Sequence, residues 1–259
     1  MDYGSSLTFG SLFAGIGGFD LGLERAGMEC RWQVEIDPFC QKVLAKHWPD
    51  VRRYEDVREV GKHNLEAVDL ICGGFPCQDI SKANAHGEGL DGGRSGLWSE
   101  FLRILGGLRP QYAVVENTAN ITNRGLDRVI GELSSIGFDA EWELISACAF
   151  GAPHPRSRMF IVAYPNKQRQ EGRWAKGDNG DDEVGGWRQN CEDHIRPIAL
   201  TGRSPRRPHW NDESSVDRMV DGSSTTLDRS RLRALGNAVV PQVAEWIGRR
   251  IVAVENQHR

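Results

Sequence analysis

Cys77 is the residue best placed by its neighbours to do chemistry. It lies in Gly73-Gly74-Phe75-Pro76-Cys77-Gln78-Asp79-Ile80-Ser81, directly after the β-like run 68–72. Two glycines admit unusual backbone angles, and Pro76 fixes its own φ and removes a donor. The pattern predicts a tight turn past a strand end that displays the thiol, and a displayed thiolate is a nucleophile. A loop cysteine alone is commonly nothing more, so the weight rests on its companions. Glu116 follows a strand candidate at 111–115 and, taken alone, reads as a strand-end acid facing water. Arg156 and Arg158 alternate at the start of another apolar run, so as strand residues they would share one face.

A second element is a cradle rather than a reactive group. Ala14-Gly15-Ile16-Gly17-Gly18 follows a strand candidate at 7–13, and small residues there let a ligand approach the backbone at a strand's carboxyl end. Gly15 and Gly17 fit the first two positions of G-x-G-x-x-G, but the third falls on Asp20, which disfavours a dinucleotide. Glu35 lies 20 residues past Gly15 at the end of the second strand candidate, where it could accept from ribose hydroxyls. A nucleoside-containing cofactor without a pyrophosphate satisfies both observations.

These groups must be held by a larger frame. Strands are predicted at 7–13, 31–36, 68–72, 111–115, 144–149 and 159–163, with helices after the glycine loop, after Asp37-Pro38 as N-cap and first residue, and near 97–108 and 127–136. Such alternation reads as an α/β fold: a mostly parallel sheet with helices on both faces. Residues 165–228 break the pattern, with scattered aliphatics and many charges, and read as a small loop-rich region. Periodicity returns at 231–237 and in a helix over 241–254, whose Val243, Ile247, Ile251 and Val254 form an apolar stripe. The expected organisation is therefore a main domain from 1–164 and 229–259, interrupted by 165–228.

Composition narrows the classes. At 259 residues and 39% hydrophobic content the chain can bury a substantial core, and it contains no run of membrane-spanning length. The N-terminus lacks the basic and apolar regions of a signal peptide, and six cysteines without a CxxC pair imply neither a zinc site nor a disulfide framework. A reduced cytoplasmic setting and no metal are expected. The net charge of −4 argues against a histone-like binder, but residues 1–164 carry 16 basic and 22 acidic side chains against six and two in 229–259. An acidic body with basic patches can still hold a polyanion on one face.

Five blocks occur in order: Ser11-Leu12-Phe13-Ala14-Gly15-Ile16-Gly17-Gly18-Phe19, Gly74-Phe75-Pro76-Cys77-Gln78, Glu116-Asn117-Thr118, Pro153-His154-Pro155-Arg156-Ser157-Arg158 and Gly236-Asn237-Ala238-Val239-Val240-Pro241. Together they resemble the signature blocks of the DNA (cytosine-5) methyltransferases of bacterial and phage type, over residues 8–164 and 229–254. The resemblance implies a class I, Rossmann-like fold, S-adenosylmethionine as cofactor, and methyl transfer to C5 of a cytosine flipped out of duplex DNA. It assigns Cys77 as the nucleophile that adds to C6, Glu116 as the carboxylate at the N3 and amino edge, and Arg156 and Arg158 as the arginine pair beside the base. For the cofactor it implies Phe13, Gly15 and Gly17 around the methionine part, Glu35 on the ribose, Ile36 against adenine, and Asp56 with Val57 at the adenine amino edge. Pro76, Asn237 and Val239 complete that set.

The same resemblance places Gln78 and Ser81 toward DNA and makes 165–228 a short target-recognition region. There the Arg203-Ser204-Pro205-Arg206-Arg207 stretch offers Arg206 and Arg207 as phosphate or base contacts, or else is a solvated linker. A monomer working beside a separate restriction endonuclease is the implied setting. Three departures stand out: Thr118 where the family usually has Val, His154 where it usually has Gln, and no clear arginine-and-leucine-rich block before the C-terminal signature unless Asn211–Gly222 is its remnant. A tRNA cytosine-5 methyltransferase of the same fold and a catalytically impaired DNA-binding relative are the alternatives.

Overall fold

The computed structural model describes residues 6–76, 96–123, 125–152, 154, 156–166 and 225–257. In chain order the elements are β1 (Thr8–Leu12), α1 (Gly18–Arg25), β2 (Glu29–Val34), α2 (Pro38–His47), β3 (Arg52–Tyr54), a 3-10 turn (Val57–Glu59), β4 (Leu70–Gly74), α3 (Leu97–Leu108), β5 (Tyr112–Thr118), α4 (Leu126–Ser135), β6 (Phe138–Ser146), β7 (Ser157–Pro165), α5 (Thr225–Asn237) and α6 (Pro241–Gln257). The strands form one sheet in the order β3-β2-β1-β4-β5-β7-β6. All neighbours are parallel except that β7 runs antiparallel to both β5 and β6. The α/β expectation with helices on both faces is therefore met.

Each face of the sheet has its own apolar layer. Leu12, Trp32, Ile71, Val115 and Ile161 face α3 and α4 through Trp98, Phe101, Ile104, Val129 and Leu133. Phe9, Leu70, Val114 and Val162 face α1 and α6 through Phe19, Leu23, Val243, Ala244, Ile247 and Ile251. Val243, Ile247 and Ile251 of the expected stripe thus pack on this face of the sheet, whereas Val254 is not part of that layer. Tyr112 donates its hydroxyl to Glu255 at 2.7 Å, a buried tie across 143 residues of sequence. Among the described residues no helix is long and apolar enough to cross a membrane.

Some boundaries differ from the sequence expectation. Instead of a strand at 144–149, β6 runs Phe138–Ser146 and ends in a 3-10 turn at Ala147–Phe150. Its Asp139, Glu141 and Glu143 hide the strand from composition, but β6 ends the sheet order, where charged residues are tolerated. Likewise β2 starts at Glu29 and ends at Val34, because its ladder with β1 runs from Glu29 to Val34. Helix α5 begins at Thr225, inside the stretch ascribed to the recognition region.

The functional consequence lies at the middle of the sheet. Helix α1 after β1 and α3, the next described helix after β4, pack on opposite faces of the sheet, and the carboxyl ends of two such adjacent strands are where open α/β sheets bind ligands. The glycine loop leaves β1 there, and the segment leading to Cys77 leaves β4 beside it.

Candidate active site

The β4 and β5 ladder decides what stands beside the cysteine segment. Gly74 pairs with Glu116, so that carboxylate lies next to the chain three residues before Cys77. The approach is close: a Cβ on residue 74 would sit 2.6 Å from Glu116 Oε2. Phe75 is buried, its ring 4.9 Å from that of Trp98, and its carbonyl accepts from Asn117 Nδ2 at 3.1 Å. The root of the cysteine segment is therefore held by α3 on one side and β5 on the other. Cys77, Gln78, Ser81, Arg206 and Arg207 lie outside the described residues, whereas Pro76 is described and exposed.

The antiparallel β7 supplies the arginines. Thr118 pairs with Arg158 and Glu116 with Phe160, which makes Glu116 and Arg158 diagonal neighbours on one face. Arg158 Nε lies 3.0 Å from Glu116 Oε1. Glu116 is only 7% exposed. Burial outweighs both arginines and the hydrogen bond, and lifts its carboxyl from the ordinary 4.5 to about 7. Glu116 can therefore exchange a proton near neutrality, donating when protonated and accepting when ionised.

Arg156 makes different contacts from Arg158, although both charges lie close enough to Glu116 to lower its pKa. Arg156 precedes β7, and its Nη2 donates to the Ala238 carbonyl at 2.9 Å. It thereby ties the strand's start to the loop between α5 and α6. Its Nε is buried without a hydrogen-bond partner. Burial and the nearby Arg158 charge lower its pKa, opposed by Glu116.

The glycine loop has a left-handed backbone at Phe13 (φ 53°), Gly15 (φ 57°) and Gly17 (φ 84°). Gly17 is the N-cap of α1, and a Cβ there would run into the Trp48 ring, so both its φ and its space require glycine. Glu35 closes the loop from the β2 side: its Oε2 accepts from Gly15 N at 2.7 Å and its Oε1 from Asp37 N at 2.8 Å. Burial raises the Glu35 pKa, against the lowering effect of those N–H groups. Asp37 caps α2 by accepting from Phe39 N and Cys40 N, ahead of Pro38. Between them Ile36 is 63% exposed, an apolar surface left open beside a carboxylate.

Asp20 entered the sequence reading only as a misfit to a dinucleotide fingerprint. It is fully buried and accepts from Ser11 Oγ (3.2 Å), Gln33 Nε2 (2.8 Å) and Cys30 Sγ (3.6 Å). It pins α1 to β1 and β2 beneath the loop, and burial raises its pKa to about 6. Asp56 caps the 3-10 turn through Arg58 N and is held by the Arg58 guanidinium at 2.6 Å, which lowers its pKa. Val57 is buried, Asn237 exposed at the end of α5, and Val239 packed on the α1–α6 layer. Phe13, Gly15, Gly17, Glu35 and Ile36 thus adjoin one another, Glu116 and Arg158 form a pair, and Asp56 is engaged locally. Sequence reasoning missed Arg103 of α3, which reaches the carbonyls of Val57 and Val60; no local pattern announces a contact across more than 40 residues.

A family model described as C-5 cytosine-specific DNA methylase matches residues 7–196. Among curated proteins, the type II methyltransferase M2.BsuMI of Bacillus subtilis is 35% identical over 161 residues, covering 59% of this chain and 41% of the relative. M.HhaI of Haemophilus parahaemolyticus is 28% identical over 166 residues, covering 62% and 50%. The chain spans about half the length of these relatives or less. A solved DNA modification methyltransferase encoded within an E. coli prophage has 27% identity and a TM-score of 0.52, covering 63% of this chain and 48% of that one. A DNMT2 mutant from Spodoptera frugiperda, at 22% identity and a TM-score of 0.55 over 68% of this chain and 54% of that one, is alike in fold.

Proposed function

The chain belongs to the C-5 cytosine-specific DNA methylase family, and on that premise we propose that it methylates C5 of cytosine in a specific duplex DNA sequence with S-adenosylmethionine as donor. The observation that carries the reading is Glu116: buried, titrating near neutrality, oriented through one oxygen by Arg158, and adjacent to the chain leading to Cys77. Cytosine C5 is a weak nucleophile. Addition of the Cys77 thiolate to C6 breaks the C5–C6 double bond and makes C5 electron-rich. The displaced electron density builds on the N3 and O2 side of the ring. A protonated Glu116 donating to N3 stabilises it, and Arg158 keeps that carboxyl in place. After transfer, loss of the C5 proton restores the double bond and expels the Cys77 thiolate.

The residues present fit the cofactor. Gly15 and Gly17, both in the left-handed region, put no side chain in the loop mouth, Glu35 offers acceptor capacity beside it, and exposed Ile36 offers an apolar face for a purine. In this reading Phe13, Gly15 and Gly17 border the methionine part, Glu35 the ribose, Ile36 and the Asp56–Val57 turn the adenine, and Pro76, Asn237 and Val239 the rim. When bound, S-adenosylmethionine supplies an electrophilic methyl on a sulfonium centre. Residues 165–228 would read the target, with Arg206 and Arg207 as contacts and Gln78 and Ser81 near the flipped base. Extrusion of the base costs a few kcal/mol, offset by such contacts.

The test is a covalent trap. Duplex DNA carrying 5-fluorocytosine at the target should form an SDS-stable adduct that requires both cofactor and Cys77, because fluorine blocks loss of the C5 substituent as a proton. Cys77→Ala should abolish transfer while leaving cofactor affinity within about threefold. Methylation by the alanine variant would overturn the assignment of the nucleophile.

A further inference from the structure

The 3-10 turn that follows β3 is too short to hold its own orientation. It spans Val57–Glu59, capped by Asp56, with Glu59 N donating to Asp56 O at 3.1 Å. The strand leading into it has only three residues. An outside group clamps it: Arg103 Nη2 donates to Val57 O at 3.0 Å and to Val60 O at 2.7 Å, the first residue of the turn and the residue that follows it. The guanidinium is itself held, since Arg103 Nε donates to Glu100 Oε2 at 2.7 Å one turn back along α3. Its seat is shaped for it, because a Cβ on Gly61 would stand 2.8 Å from Arg103 Nη1. Arg103 also comes from an informative helix. Trp98 of α3 packs on Phe75, two residues before Cys77, so one helix touches both the root of the cysteine segment and this turn.

We propose that Arg103 is a positioning residue that sets cofactor affinity and adenine selectivity by fixing the Val57–Val60 backbone from α3. The inference rests on the cofactor reading above, in which Asp56 and Val57 meet the adenine amino edge. A purine 6-amino group is a donor, and it is distinguished from a 6-oxo group only if the facing acceptors and donors are held still. Both Arg103 bonds go to main-chain carbonyls, so their loss frees the turn without removing any group that would touch the ligand. The Arg103 side chain is 43% exposed, so its truncation opens no cavity in the core.

Calorimetry on wild type, Arg103→Ala and Arg103→Lys, with S-adenosylhomocysteine and its 6-oxo analogue S-inosylhomocysteine, tests this. Wild type should prefer the adenine form by about tenfold or more. Arg103→Ala should bind S-adenosylhomocysteine about tenfold more weakly and prefer it by less than about threefold, because a hydrogen-bonding edge that moves no longer discriminates. Arg103→Lys keeps the charge without the fork and should fall between them. In methylation assays the alanine change should raise KM for the cofactor and leave kcat within about twofold. Undiminished preference for adenine in Arg103→Ala would overturn the proposal and reduce Arg103 to a seal on the turn. Wild type that binds neither ligand would instead overturn the cofactor reading beneath it.

Discussion

Replacing Glu116 by Gln should make the protein more stable and less active, and the stability gain should depend on pH. The folded carboxyl titrates at about 7 against an ordinary 4.5. At about 1.4 kcal/mol per unit, the ionised side chain costs the folded state roughly 3 kcal/mol. The folded state holds this proton more tightly than the unfolded chain does. Stability from this group is therefore complete below pH 4.5, falls as pH rises from 4.5 to about 7, and is level above. Glutamine keeps the shape and does not titrate. The variant should match wild type near pH 4.5 and exceed it by up to about 3 kcal/mol at pH 8, roughly 6–12 °C in Tm. Asp20 and Glu35 also have raised pKa values, but they are common to both proteins and drop out of the difference. Urea melts of both proteins at pH 5, 6, 7 and 8 read the stability, and single-turnover methylation at pH 8 should fall by about 10²–10⁴. A stability difference that does not change with pH, or a glutamine variant less stable at pH 8, would refute the reasoning: attraction to Arg158 would then outweigh burial, and Glu116 would be ionised throughout.

Two further predictions concern the cradle and the DNA contacts. Gly17→Val forces a branched residue to φ 84° against the Trp48 ring, so S-adenosylhomocysteine affinity should drop by about 1–3 kcal/mol in calorimetry; unchanged affinity would mean the loop does not shape the cofactor site. If Arg206 and Arg207 grip phosphates, the double alanine variant should weaken binding to all duplexes and reduce the slope of log affinity against log salt by about two; an unchanged slope would return that stretch to the status of a linker.

The amino-acid sequence alone determined the local chemistry of this protein. Gly15 and Gly17 after β1, Asp37-Pro38 ahead of α2 and Gly74 before Pro76 set φ, caps and chain direction within a few residues. Turns and helix starts are therefore legible without the fold, and so is the alternation that makes the sheet. Only tertiary structure decided how those pieces act. The Gly74–Glu116 ladder pair and the diagonal Glu116–Arg158 contact arise from register, and they place the carboxyl where burial raises its pKa. Arg156 turned out to reach Ala238, Asp20 to bind Ser11, Cys30 and Gln33, and Arg103 to clamp a turn more than 40 residues away. The acidic edge strand β6 was hidden for a related reason: its carboxylates look unlike a strand until the sheet order shows that it lies at the end. Residue type and spacing fix backbone preferences over a turn or two, whereas protonation, pairing and edge position depend on which distant segments pack together.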